Sequence, residues 1–293
     1  DFSKENLIKN LKNVEAIIVR TANLSQKILQ ECKSLKIVAR HGVGYDNVDV
    51  DYLNKEKIAL AITGTANAVT VAEHVITMFL NLCKLSSKSD QLVRNGLFKQ
   101  RVTLPNILEL YNKNIFIIGF GRVGKALAKR CNGFESQVYV YDPYVKSNII
   151  KENNCSAISF EEGIKIADFI SIHLPLNEKT KYLIAKKELS QMKRTSIIVN
   201  TARGGIIKES DLIWALQNQV IHSAGLDVFE QEPPDKNNPL FKIDNLILSP
   251  HSAALALECR KRMAIEACSN IVNFLEKKPE LNLGNIINKD ILN

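Results

Sequence analysis

The stretch Asn114-Ile-Phe-Ile-Ile-Gly119-Phe-Gly121-Arg-Val-Gly124-Lys125 decides the fold. Ile115, Phe116, Ile117 and Ile118 form a short continuous apolar run, the pattern of a strand buried on both faces. Gly119, Gly121 and Gly124 follow at the spacing G-x-G-x-x-G, and Arg122 to Cys131 then reads as a helix. Strand, glycine turn and helix in that order make the dinucleotide-binding fingerprint. Gly119 serves the tight turn, and Gly121 the approach of backbone to a pyrophosphate. Gly124 serves close helix–strand packing, with the phosphates at the helix N-terminus. Ser136 to Tyr141 reads as a second strand ending in Asp142, 18 residues after Gly124. A carboxylate there accepts hydrogen bonds from both hydroxyls of an adenosine ribose and repels a 2′-phosphate, so the cofactor expected is NAD.

Working outward, 293 residues are enough for two domains, each with its own core. No run approaches the ~20 apolar residues needed to cross a membrane, and no secretory signal is visible. The net charge of +8 is spread along the chain. There is no dense basic tract or aromatic-interleaved patch, so nucleic acid is not an expected partner. A mild positive field suits an anionic cofactor and an anionic substrate. The six cysteines (Cys32, Cys83, Cys131, Cys155, Cys259, Cys268) lack metal-binding spacing. Scattered thiols of this kind fit a reducing cytoplasm and predict no metal site.

Residues 3–62 alternate helix and strand signals. Helices are expected at 3–11 (with Ser3 as cap), 25–32 and 50–56, and strands at 15–20, 35–40 and 58–62. Because the first element is a helix, a preceding strand is expected upstream of Asp1. Ala68 to Leu85 reads as a long apolar helix, and the more polar Ser86 to Leu110 as a segment wrapping outside the core. Strands are expected at 115–118, 137–141, 169–172, 195–199, 222–225 and 245–248. A long helix at 254–275 and a last strand at 285–287 follow. Alternation of this kind gives parallel sheets with helical crossovers.

Polar clusters fall at the C-terminal ends of these strands, the edge where open α/β sheets bind ligands. Arg40-His41-Gly42-Val43-Gly44 is one; its backbone N–H groups suit a carboxylate, although a plain glycine loop reads the same. Others surround His173, Thr201-Ala202-Arg203, Asp227 to Glu232, and Pro250-His251. Hydride chemistry with NAD needs the substrate held, its oxygen protonated or deprotonated, and the charge on that oxygen stabilised. Arg203 offers a planar fork matching a carboxylate. Of the five histidines, His41, His173 and His251 sit at strand ends, and an imidazole titrates near neutrality. His251, just after Pro250, is the best proton donor among them. Glu232, in a proline-bounded loop, could pair with it and raise its pKa. A solvated loop glutamate reads the same, Glu230 being only two residues away.

These motifs resemble the D-2-hydroxyacid dehydrogenases, of the branch that includes 3-phosphoglycerate and glycerate dehydrogenases. R-H-G-V-G-Y-D-N-V-D at 40–49 is similar to the family's substrate loop, and N-A-V-T-V-A-E-H at 67–74 to the start of its interdomain helix. H-L-P-L at 173–176, V-N-T-A-R-G-G at 199–205, D-V-F-E-Q-E-P at 227–233 and S-P-H-S at 249–252 match its later signatures. The resemblance implies an α/β chain of two Rossmann-like or flavodoxin-like parallel-sheet domains with an interdomain cleft. Residues 1–67 and 255–293 would form the substrate domain, and 68–254 the NAD-binding domain.

The same resemblance implies Arg203, Glu232 and His251 as the catalytic set, Glu232 being chosen over Glu230 because it directly precedes proline. Substrate contacts are implied from Arg40, Val43, Gly44, Asn67, Arg203 and His251. Cofactor contacts beyond the glycines are implied from Arg122, Val123, Asp142, His173, Pro175, Thr201, Arg203, Asp227 and His251. Members are commonly homodimers through the NAD domain, with 68–112 as an embracing arm. Ser252-Ala253-Ala254-Leu255 departs from the isoleucine and glycines common in the family. With no regulatory domain after Asn293, serine feedback is not expected. The expected reaction is reversible NAD-linked oxidation of a D-2-hydroxy acid to its 2-keto acid, with 3-phosphoglycerate, glycerate or hydroxypyruvate as substrate types. An NAD-sensing binding protein or co-repressor on the same fold is the alternative. Formate dehydrogenase is disfavoured, because that branch places glutamine before its histidine.

Overall fold

The computed structural model describes residues 4–292. The chain runs α1 (Lys4–Leu11), β1 (Ala16–Val19), α2 (Gln26–Leu29), β2 (Ile37–Arg40), α3 (Val50–Lys55), β3 (Ala59–Ile62) and α4 (Ala68–Lys84). It continues through α5 (Ser86–Arg94), β4 (Asn114–Ile118), α6 (Arg122–Gly133), β5 (Gln137–Tyr141), α7 (Ser147–Glu152) and β6 (Ser156–Ala157). Then come α8 (Phe160–Ile166), β7 (Phe169–Ile172), α9 (Lys186–Leu189), β8 (Ile197–Asn200), α10 (Glu209–Gln217), β9 (Ser223–Leu226), β10 (Leu246–Leu248) and α11 (Leu257–Leu275). Two compact units result. One runs through Ala68 and resumes at Leu255; the other spans Val69–Ala254.

The larger unit holds a seven-stranded sheet ordered β10-β9-β8-β7-β4-β5-β6, every pair parallel. The order reverses direction between β4 and β7, the switch point where doubly wound sheets open a crevice at their C-terminal edge. The apolar run of β4 shows why both faces had to be covered. Ile115 and Ile117 face a core made with Ala72, Val75, Met78 and Phe79 of α4. Phe116 and Ile118 face a second core with Ile164 of α8 and Leu212 of α10. A polar residue at any of these four positions would bury an unpartnered group.

In the smaller unit β1, β2 and β3 form a parallel sheet in that order. Val38 and Leu60 face one core; Ile37, Ala39, Ala59 and Ala61 face another with Ala267 of α11. Five cysteines are buried and Cys268 is exposed; all six are free thiols. Burial pushes the Cys131 thiol up to about 12 and Cys155 up to about 11, the behaviour of small hydrophobes.

Several expectations need correction. The strand expected at 285–287 is only an isolated antiparallel bridge between Ala61 and Ile286. The ladder stops because the Asn288 side chain takes the place of a peptide. Its Oδ1 accepts from Leu60 N at 2.8 Å and its Nδ2 donates to Ile58 O at 2.9 Å. The short β6 was not foreseen: Ser156 and Ala157 are both exposed and give no apolar signal. The expected helix 25–32 keeps only Gln26–Leu29 as α-helix, because its last turn tightens to bonds such as Cys32 N to Leu29 O. The helix expected from Ala254 begins at Leu257, because Ala256 has an extended ψ of 144° and stands as its N-cap. Ser3, the expected cap, lies outside the described residues. Between Ser86 and Thr103 neither α5 nor the following 3-10 turn buries a residue, as the polar pattern there predicts.

Candidate active site

The glycine turn leads from β4 into α6. Gly119 has φ +97°, and a Cβ on Gly124 would stand 2.2 Å from the Gly119 carbonyl oxygen, so helix and turn meet at a distance only glycine allows. Gly121 is different: a Cβ there would meet no protein atom within 4 Å. Its φ of −72° is open to any residue, so space for a ligand, and not protein packing, is what its missing side chain provides. The first turn of α6 has no acidic side chain and begins with Arg122, which suits an anion at the helix N-terminus. At the end of β5, Asp142 Oδ2 accepts from Phe120 N at 2.8 Å and Oδ1 from Tyr144 N at 2.9 Å. These bonds fix the carboxylate beside the turn, and each oxygen keeps a lone pair for a further donor.

At the ends of β7 and β8, two more expected cofactor residues face the same edge of the sheet. Packing around the His173 ring pushes its pKa down to about 3, although part of the residue still reaches solvent. The imidazole is therefore neutral, and its Nε2 pairs with Ser171 Oγ at 2.9 Å. Thr201 Oγ1 is buried and has no partner in the protein. An orphaned buried hydroxyl at the C-terminal edge of the sheet fits a bound nucleotide. Pro175, two residues after His173, is exposed. These residues fit NAD.

Arg203 is carried by a loop built from the strand outward. Asn200, the buried last residue of β8, donates from Nδ2 to Arg203 O at 2.8 Å and accepts on Oδ1 from Ala202 N at 3.0 Å. The next residue locks that loop to another. A Cβ on Gly204 would fall 1.7 Å from Phe229 O, so the Arg203 loop and the loop after β9 touch backbone to backbone. Gly204 thus serves the packing of the two loops.

Glu232 accepts from Phe229 N on Oε1 at 3.0 Å, and its Oε2 lies 2.7 Å from His251 Nδ1. Glu230 is engaged elsewhere: its Oε1 accepts from Glu209 N at the start of α10, at 2.7 Å. The geometry therefore pairs Glu232, and not Glu230, with His251. Burial opposes ionisation of Glu232, but hydrogen bonds from His251 and Phe229 N–H outweigh it and hold its pKa below the usual carboxylate value. The hydrogen bond to Glu232 raises the His251 pKa against the effect of burial. The Asp227 charge adds to the rise, and the nearby Arg203 guanidinium opposes it. With Nδ1 committed to Glu232, Nε2 is the nitrogen left for a reacting group.

His251 itself has φ +50°, a left-handed backbone uncommon outside glycine. Asp227, fully buried, holds it there. Its carbonyl accepts from His251 N, and its carboxylate accepts from Ser249 Oγ, Ser252 N and Ala253 N at 2.5, 2.8 and 2.9 Å. His74 of α4 completes the cluster, with Nε2 2.9 Å from Ser249 Oγ. Asp227 was expected only as a cofactor contact. Asn200, Ser249 and His74 all lie inside motifs quoted above, but nothing in their spacing indicates that they brace other residues.

In the smaller unit, Arg40 turns back on its own loop, donating to Asn47 Oδ1 at 3.1 Å and His41 O at 2.8 Å. Gly42 N donates to Thr63 Oγ1 at 2.8 Å. Val43 is 37% exposed, so the loop tip faces outward. Asn67 Oδ1 is buried and has no partner. Among the described residues, no three His, Cys, Asp or Glu side chains cluster to hold a metal ion. No single helix there is long and apolar enough to cross a membrane.

Comparison with known proteins places this geometry among relatives. The sequence model of the D-isomer specific 2-hydroxyacid dehydrogenase NAD binding domain matches residues 76–253. The chain is 34% identical over 286 residues to D-3-phosphoglycerate dehydrogenase of Archaeoglobus fulgidus, covering 97% of this chain but 54% of that protein. It is 33% identical over 293 residues to glyoxylate reductase of Korarchaeum cryptofilum, covering 99% and 87%. The crystal structure of D-lactate dehydrogenase from Aquifex aeolicus, complexed with NAD and lactic acid, superposes with a TM-score of 0.86 at 29% identity, covering 96% and 88%. The chain thus spans about half the length of the phosphoglycerate dehydrogenase and most of the other two.

Proposed function

Because the chain belongs to the D-isomer specific 2-hydroxyacid dehydrogenases, an NAD-dependent family, we propose that it interconverts a D-2-hydroxy acid and its 2-keto acid. The substrate class is small and anionic, of the 3-phosphoglycerate, glycerate or hydroxypyruvate type. NAD, when bound, supplies the two-electron chemistry at C2 of the substrate. Everything else falls to the protein. Arg203 binds the substrate carboxylate and carbonyl oxygen through its planar fork. His251 Nε2 gives a proton to that oxygen in reduction and removes it in oxidation. Glu232 fixes the ring and keeps the acid form available. Gly119, Gly121, Arg122, Val123, Gly124, Asp142, His173, Pro175 and Thr201 hold the cofactor, and Val43, Gly44 and Asn67 contact the substrate. Copies of the chain pair through the NAD-binding domain, with residues 68–112 as the arm.

The observation that carries this reading is the 2.7 Å contact of His251 Nδ1 with Glu232 Oε2, beside the Arg203 charge. A carboxylate-supported imidazole next to a guanidinium is a proton donor matched to an anionic carbonyl substrate. His251→Ala is expected to lower turnover by about 10²–10⁴-fold, the usual size of an acid–base contribution, while NADH binding by fluorescence is nearly kept. Unchanged turnover in that variant overturns the assignment. NADH binding without turnover in the unsubstituted protein would favour the NAD-sensing alternative.

A further inference from the structure

Asp227 and Ser249 are the residues that follow β9 and β10, and the parallel register pairs the last residues of those strands, Leu226 with Leu248. The two polar side chains therefore leave the sheet as neighbours. Above them, α4 packs directly on β9 at Gly225, where an added Cβ would stand 2.9 Å from Met78 Sδ and 3.3 Å from Met78 Cβ. His74 is one helical turn before Met78 and shares its face. That turn carries the imidazole to the strand ends, with Nε2 2.9 Å from Ser249 Oγ and 3.7 Å from Asp227 Oδ1. All of these residues belong to the unit Val69–Ala254.

Chemistry fixes the direction of each bond. Asp227 is fully buried, and its carboxylate accepts on Oδ1 from Ser249 Oγ at 2.5 Å and Ser252 N at 2.8 Å, and on Oδ2 from Ala253 N at 2.9 Å. The one hydroxyl hydrogen of Ser249 is thus committed to Asp227, which leaves Ser249 Oγ an acceptor toward His74. His74 must then carry hydrogen on Nε2. A one-way chain results, from His74 through Ser249 to the carboxylate that fastens the two peptide N–H groups after His251. The fastening matters because His251 has φ +50°. A residue with a side chain keeps that conformation only where its surroundings impose it.

We propose that His74 and Ser249 are positioning residues for His251: their hydrogen-bond chain orients the Asp227 carboxylate, which holds the backbone on either side of His251 and so keeps the imidazole on Glu232. The effect on turnover rests on the reading of His251 as the proton donor. The charged groups around its ring are Glu232, Asp227 and Arg203, and His74 acts through Asp227.

The test compares the unsubstituted chain with His74→Phe, His74→Gln, Ser249→Ala and the His74→Phe/Ser249→Ala double variant. Phenylalanine fills the space of the ring without a donor, whereas glutamine keeps an N–H donor. kcat/KM for keto-acid reduction is expected to fall about tenfold in His74→Phe and in Ser249→Ala. Its basic limb is expected to move to lower pH in both, because a ring released from Glu232 loses the bond that raises its pKa. His74→Gln is expected to stay within about threefold, with the limb in place. The double variant is expected to match Ser249→Ala, since both changes break one chain. NADH Kd by fluorescence and the unfolding temperature are expected to be nearly unchanged. A basic limb unmoved in His74→Phe, or effects that multiply in the double variant, overturns the inference. So does a loss of NADH affinity and thermal stability that His74→Gln does not spare.

Nitrogen NMR of histidine-labelled protein gives a readout that needs no turnover. At about pH 9 imidazoles are neutral, and the His74 signals are those missing from His74→Gln. Hydrogen on His74 Nε2 supports the chain, and hydrogen on Nδ1 overturns it. If the unsubstituted protein consumes NADH with no 2-keto acid, the functional reading falls alone. The His251 titration in the same spectra then decides the chain: a lower pKa in His74→Phe supports it, and an unchanged one removes it.

Discussion

At the scale of single residues, the proposed chemistry turns on the protonation of His251. Reduction needs its charged form, which exists below its raised pKa and is lost as pH rises through that value. The hydrogen bond that its Nδ1 donates to Glu232 is the largest cause of the rise. Glu232→Gln is therefore expected to move the basic limb of the kcat/KM profile for keto-acid reduction to lower pH. A limb that stays in place contradicts the pairing. The same pair bears on stability. The raised His251 contributes fully below 6.5, its ordinary value, and loses that contribution as pH rises through its folded pKa. Glu232, lowered from 4.5, contributes above 4.5 and loses its share as pH falls through its folded value. Both contributions are present together between 4.5 and 6.5. Both side chains are more than a third exposed, so solvent screens the pair.

Legibility at this scale followed the kind of work a residue does. Gly121 and Asp142 stood out in the sequence because a phosphate and a ribose would impose residue types at fixed spacing along one strand–helix unit. Asn200 and Ser249 were not, although each braces a neighbour by side-chain hydrogen bonds. Nothing in a polar residue at a strand end says whether it faces a ligand or the next loop. Gly204 was visible, but its reason was not: only the fold brings Phe229 O to where a side chain would stand.

Among the elements, the strands were the most legible because continuous apolar runs leave no alternative to double-sided burial. The short β6 and the bridge at Ile286 escaped for the opposite reason: exposed residues in one case, a side chain substituting for backbone in the other. The segment after α4 is the element whose purpose the fold of one chain leaves unexplained. Val93, Phe98, Val102, Ile107 and Tyr111 are 61, 57, 82, 49 and 58% exposed, an apolar row that a monomer would hold against water. If copies pair through this arm, sedimentation will give a particle near twice the 32.9 kDa chain mass. Replacing Phe98 and Val102 by lysine should then shift it toward one chain mass without lowering the unfolding temperature. A single-chain mass for the unsubstituted protein contradicts the pairing.

For the molecule as a whole, alternating signals were enough to foresee parallel sheets, and the glycine turn in mid-chain was enough to foresee that the NAD-binding sheet starts after another α/β segment. The strand order then places the ends of β4, β5, β7 and β8 at one edge, which brings together the residues from Gly119 to Thr201 proposed to hold the cofactor. Arg203, Glu232 and His251 follow from the same edge, and they make the chain's central property a chemical one. The most direct measurement follows absorbance of NADH with a panel of 2-keto acids: hydroxypyruvate, glyoxylate, pyruvate and 3-phosphohydroxypyruvate. NADH should be consumed with at least one of them, and far more slowly with NADPH, because Asp142 repels a 2′-phosphate. NADH that binds but is consumed with none of these acids would contradict the proposed activity.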